Sequence, residues 1–141
     1  MRLCCLLFCV LAASAAKAAQ QGEAGKASAN DGVYSAAQAE RGARLYHDRC
    51  AACHHPNQFT GPAFILSWKG QTADGLFDLI RNTMPTGNPA SLKRQEYADI
   101  LAYLFQANGL PAGPTDLKGT DAALKRVVIE PPRRQSQPKG R

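Results

Sequence analysis

Cys50-Ala51-Ala52-Cys53-His54 decides the reading of this chain. Two thiols three residues apart, followed at once by a histidine, form the pattern through which c-type haem is attached. Each sulfur can add to one vinyl group of the macrocycle, and the turn between them places the imidazole of His54 beneath the iron. Two rival chemistries use similar residues. A zinc site wants a fourth ligand; His47 and His55 are available, but His55 adjoins His54 and no second Cys-x-x-Cys exists, so tetrahedral closure is poor. A disulfide-redox pair usually sits near a βαβ pattern, which the surrounding sequence lacks.

The other cysteines strengthen the haem reading. Of five in the chain, Cys4, Cys5 and Cys9 fall in the first residues. There Arg2 gives a positive start, Leu3 to Ala13 is largely apolar, and Ala13 to Ala15 and Ala16 to Ala18 offer small-residue cleavage sites. Residues 1–18 are therefore expected to be an export signal, too short to span a bilayer. The mature chain then keeps one cysteine pair, in an oxidising compartment such as the periplasm.

Outward from the motif, composition suggests one small domain with flexible ends. Residues 19–32 are rich in Ala, Gly, Ser and Gln and read as a linker. Residues 114–141 are Pro-rich and basic and read as a solvated tail. The domain is expected over residues 33–113, near the lower size at which an apolar core suffices alone, so that a bound macrocycle would add core volume. The net charge of +6 belongs mainly to the ends: residues 20–115 carry eight acidic and eight basic groups, and residues 116–141 carry seven basic and three acidic. A nucleic-acid partner would want its basic residues on a folded face, so none is expected. The tail suits a weak contact with an acidic partner or a membrane surface, and no transmembrane segment is expected.

Three helices frame the motif. The first starts at Ser35, where Ser35-Ala-Ala-Gln38 has the form of a capping box, and runs to about Cys50. Leu45 and Tyr46 give it an apolar edge, and Gly42 leaves room for a second helix at a cost of about 1 kcal/mol against alanine. The second spans Thr72 to Asn82, with Leu76, Phe77, Leu79 and Ile80 as its buried face. It stops before Met84-Pro85, because proline disfavours helical geometry at the preceding residue. The third begins after Ser91 and ends at Asn108-Gly109, with Tyr97, Ile100, Leu101, Leu104 and Phe105 on one face. It is expected to cross the first helix with Tyr103 or Leu104 near Gly42 and Tyr46. No stretch shows strand alternation.

His54 supplies one side of the iron, and Met84 is the candidate for the other. It is the only methionine beyond the initiator, lies outside the helices, and follows His54 by thirty residues, ample chain to change faces. His47 is the rival, awkwardly placed three residues before Cys50. His/Met ligation leaves no vacant position for a substrate and favours ferrous iron, which describes an electron carrier rather than an enzyme.

The motif Cys50 to His54, Gly61-Pro62, Trp68, Met84-Pro85 and the Tyr97-to-Gly109 helix resemble the single-domain, monohaem class I cytochromes c. Asp74-Gly-Leu-Phe, Thr83-Met-Pro and Tyr97-Ala-Asp-Ile-Leu-Ala-Tyr-Leu are similar to cytochrome domains associated with quinoprotein dehydrogenases. The resemblance implies an all-α cytochrome c-type fold, three main helices wrapped around one haem c held by thioethers at Cys50 and Cys53. It implies axial ligands at His54 and Met84. Pro62 would offer a carbonyl that orients the proximal imidazole, or form only a turn. Trp68 would donate to a haem propionate, or pack on the domain edge; Arg81 would neutralise a propionate, or sit exposed at its helix end. The short spacing from His54 to Met84 departs from many mitochondrial-type members and points to a compact bacterial variety.

The implied function is periplasmic electron transfer from a dehydrogenase to an oxidase or another cytochrome. The alternatives are a cytochrome subunit of a larger oxidoreductase and, from a different class, a haem enzyme or ligand sensor that opens the Met84 side.

Overall fold

The computed structural model describes residues 25–133, so the expected export signal at 1–18 lies outside the described residues. Among those described, five α-helices and two short strands follow the order β1 (Ala27–Ser28), α1 (Ala36–Arg49), α2 (Pro62–Trp68), α3 (Ala73–Thr83), α4 (Arg94–Ala107), α5 (Asp121–Leu124) and β2 (Val127–Val128). Single-turn 3-10 helices at Ala29–Asp31 and Pro56–Phe59 complete the chain. The fold is all-α, as expected, and its main core draws on all five helices together with Ala29 and Tyr34 before α1 and the segments after α4.

α1 begins where the sequence indicates. Ser35 is extended, and its hydroxyl accepts from the Gln38 amide at 3.0 Å, satisfying one of the unpaired donors of the first turn. Gln38 does not return the bond as a capping box would. Its side chain is fully buried: Nε2 donates to Asp99 Oδ1 at 3.0 Å and to the Leu117 carbonyl at 2.8 Å, and Oε1 accepts from the Leu117 amide at 2.7 Å. A buried amide left without such partners costs about 1–3 kcal/mol, so the pairing fixes where the later segment lies.

α1 and α4 make the most extensive contact between elements. Gly42 is the closest point of approach, for a Cβ there would stand 1.8 Å from the Asp99 carbonyl oxygen and 3.0 Å from the Ile100 nitrogen. The expected crossing is present, one turn of α4 earlier than Tyr103 or Leu104 at the glycine itself. Those two residues instead meet Tyr46: the Tyr46 and Tyr103 rings are 5.2 Å apart, and Leu104 and Ile100 join Tyr46 in a second buried cluster.

α3 buries Leu76 and Phe77, but Leu79 is 51% exposed, so the expected four-residue face is narrower on the protein itself. Its N-cap Thr72 makes no side-chain bond to the helix amides and donates to Asp74. α2 replaces what the sequence suggests is a turn at Gly61-Pro62. Gly61 adopts φ +90°, a conformation glycine tolerates, and Pro62 opens the helix, where its missing N–H leaves nothing unpaired.

The expected boundaries at 33 and 113 do not bound the packed unit. Ala27–Ser28 pairs in parallel with Val127–Val128, and Leu117, Leu124, Val127 and Ile129 are buried in the main core. The described parts of the expected linker and tail are thus structural. Their apolar residues carry no helical or strand period, which is why composition alone reads them as solvated. Gly113 holds the two ends together: a Cβ there would lie 1.9 Å from the Gly32 carbonyl oxygen, and its amide donates to Tyr34 O at 2.6 Å. Charge adds a second fastening. Arg41 reaches Asp99 at 3.1 Å and Asp116 at 2.5 Å, and Ser35 also donates to Asp116.

Two outcomes follow from these contacts. Gly42→Ala should destabilise the protein by about 1–3 kcal/mol or more, because backbone rather than a mobile side chain blocks the added methyl; equal denaturation midpoints for variant and wild type would contradict the close approach. The hydrogen bond from Ser35, and then Arg41, hold the Asp116 carboxyl below the usual carboxylate range. The contribution is therefore complete above the unfolded value of about 3.9 and is lost as pH falls through the lower folded value. Asp116→Asn should flatten the acid side of the stability profile below about pH 4. A profile with the same acid slope would contradict the assignment.

Candidate haem site

The Cys50–His54 turn is built by the end of α1. The Cys50 and Ala51 amides both donate to the Tyr46 carbonyl, at 2.8 and 3.0 Å, and the Cys53 and His54 amides both donate to the Cys50 carbonyl, at 3.1 and 2.8 Å. The Tyr46 hydroxyl, 3.0 Å from the His54 carbonyl oxygen, donates to it and ties the histidine backbone to the helix. Burial, followed by the charges of Cys50 and Tyr103, pushes this phenol up to about 12, so it remains a donor across the neutral range. No disulfide joins Cys50 and Cys53; Cys50 is half-buried and Cys53 exposed.

The His54 ring is held from its own strand of chain. Its Nδ1 lies 3.3 Å from Gln58 Oε1, and its plane faces Phe59 with ring centroids 5.1 Å apart at 55°. Gln58, rather than Pro62, is therefore the observed partner of Nδ1; Pro62 is exposed at the start of α2. Nothing in the sequence distinguishes Gln58 as a partner, since it falls between two turns without a motif. Trp68 is half-buried at the end of α2 and packs against the main core. Arg81 bonds to neighbouring Asn82. His47 and His55 are exposed, bonded to Asp48 and Asn57.

Met84 is extended at φ −128° and ψ 151°, as the following proline requires. Its carbonyl accepts from the Tyr97 hydroxyl at 2.9 Å, and its sulfur lies 3.5 Å from the Thr86 hydroxyl. The loop it opens is closed at the base by the Ala90 amide, which donates to Arg81 O at 2.9 Å. Tyr97 is buried on α4, so the same helix that meets α1 also fixes the methionine backbone.

The two halves meet in one apolar region. Cys50 and Phe59, from the histidine side, and Ile80 and Leu92, which flank Met84 in sequence, all pack partly buried against the cluster of Tyr46, Ile100 and Leu104. Phe64, Ile80 and Leu92 also border the main core, while Leu66 and Leu79 remain more than half exposed. The Tyr46 cluster thus takes residues from the Cys50–His54 side and from both sides of Met84 in sequence, and thiol, imidazole and thioether are the donors that a c-type haem uses. Among the described residues no three His, Cys, Asp or Glu side chains gather as a metal-binding group. No described helix is long and apolar enough to cross a membrane.

Residues 37–104 match the family model described as cytochrome C oxidase, cbb3-type, subunit III. No curated protein and no solved structure matches. The matched span takes in all but the first residue of α1, the Cys50–His54 motif, Met84 and most of α4. Together with the all-α fold and the motif, this match supports a c-type cytochrome, a protein of haem-based electron transfer.

Proposed function

We propose that this chain is a periplasmic electron carrier with one haem c, bound through Cys50 and Cys53 and ligated by His54 and Met84. When bound, haem supplies the Fe(III)/Fe(II) couple, and the methionine sulfur biases it towards the ferrous form. The protein's part is to hold both ligands still. Tyr46 and the Phe59 ring fix His54, and Tyr97 fixes the Met84 backbone. The single observation that carries the reading is Met84 itself: extended, anchored at its carbonyl by Tyr97, and flanked by Ile80 and Leu92 on the cluster that also takes Cys50 and Phe59. With His54 and Met84 both holding the iron, a substrate would have no place on it, which suits a carrier rather than an enzyme. Trp68 keeps the role of offering its indole N–H to a haem carboxylate, while the orientation of the His54 imidazole, expected from the Pro62 carbonyl, falls to Gln58. Export rests on the apolar start of the sequence, and the partners are a dehydrogenase donor and an oxidase or cytochrome acceptor.

A second reading, a cytochrome subunit fixed in a larger oxidoreductase, is favoured by the description of the matched family as an oxidase subunit. Purification separates the two: a monomer that accepts electrons at full rate supports the carrier, and a tight complex with a catalytic chain supports the subunit.

Met84→Ala should abolish the sulfur-to-iron charge-transfer band and lower the reduction potential, and should let the reduced protein bind carbon monoxide, which the wild type should not do at neutral pH. An unchanged band and potential would remove Met84 from its role. Rapid stoichiometric binding by the wild type would establish the open-site alternative instead.

A further inference from the structure

Asn108 is conspicuous in sequence only as the end of a helix, a position where asparagine needs no further explanation. Its side chain does more than a cap requires. The residue is 9% exposed, and all three hydrogen-bonding directions that its amide uses are aimed at backbone. Nδ2 donates to Leu104 O at 2.8 Å, which locks the side chain against its own helix. The same nitrogen donates to Phe59 O at 2.8 Å, and Oδ1 accepts from the Gly61 amide at 2.9 Å. The last two bonds grip the chain on both sides of Thr60, as a neighbouring strand would.

That gripped segment is the one that meets the histidine. Phe59 faces the His54 ring, and Gln58, one residue earlier, meets its Nδ1. The Phe59 ring packs against the Tyr46, Ile100 and Leu104 cluster and against Phe64, but the backbone around it lies at the surface: Gln58 and Gly61 are exposed, and the 3-10 turn at Pro56–Phe59 buries no residue. We propose that Asn108 is a positioning residue for the His54 imidazole, acting from the end of α4 through the Phe59–Gly61 segment. The inference rests on the assignment of His54 as a haem ligand. Asn108 lies beyond the matched span of 37–104, so the family match does not contain it.

The amide has only one workable orientation, because reversing it would set oxygen against the Phe59 and Leu104 carbonyls. Asp at this position keeps the shape and the acceptor for Gly61 but loses both donors. Asn108→Ala and Asn108→Asp are therefore compared in the full-length haem-loaded protein, with Leu124→Ala as a control that opens the core at a fully buried site on α5. The readouts are solvent exchange of the His54 Nδ1 proton in the reduced protein and the pattern of haem-methyl shifts in the oxidised protein, which reports the plane of the imidazole.

Both Asn108 variants should speed exchange by roughly tenfold, the order of one lost hydrogen bond, and alter the methyl pattern. Leu124→Ala should lower the unfolding temperature while leaving both readouts as in the wild type. Should the alanine variant not load haem, the aspartate variant carries the comparison. Wild-type exchange and methyl shifts in the Asn108 variants, or equal changes in the Leu124 control, would overturn the inference. Absence of any coordinated His54 signal in the wild type would instead overturn the ligand assignment beneath it.

Discussion

The close contact of α1 with α4 at Gly42 governs the rest of the molecule. With no side chain at that point, the α1 backbone comes down on Asp99 and Ile100, and each helix then carries part of the site at a set distance from the crossing. Two turns beyond Gly42, α1 ends in the Cys50–His54 turn, with Tyr46 bonded to the histidine carbonyl. On α4, Tyr97 at one end holds Met84 and Asn108 at the other holds the Phe59–Gly61 segment. A shift at the crossing would therefore move the loops on both sides together.

A domain of this size has little core to spare, and the chain after α4 supplies part of it. Leu117, Leu124, Val127 and Ile129 return over the helices, and Gln38, Arg41 and Asp99 secure that return by hydrogen bonds and charge. The buried glutamine is the stronger fastening, since it is fully enclosed and leaves no polar atom unpaired, whereas the Arg41–Asp116 pair is half-exposed and screened by water.

Much of this was written in the sequence because it depends on local rules. Ser35 as a cap, Met84 forced out of the helix by Pro85, the apolar period of α4 and the need for a bare Gly42 are all decided within a few residues. What could not be read depends on distant partners. Gln38 looks like a capping residue until Leu117 arrives from 79 positions away, and Asn108 looks like a stop signal until Phe59 and Gly61 meet it. The return after residue 113 was hidden for the same reason: its apolar residues are irregularly spaced among prolines and charges, so only the surface that receives them reveals their purpose. Leu79 shows the opposite error, where a sound helical period overcounted the face that protein alone covers.

The claim on which the account turns is that Cys50 and Cys53 carry haem. Mass analysis of the peptide spanning residues 50–54, taken from the chain produced with its export signal in a cell that matures c-type cytochromes, tests it most directly. The account predicts one haem on that peptide and no thiol open to alkylation at either cysteine. A haem-free peptide with two alkylatable thiols, or with a disulfide between them, would contradict it.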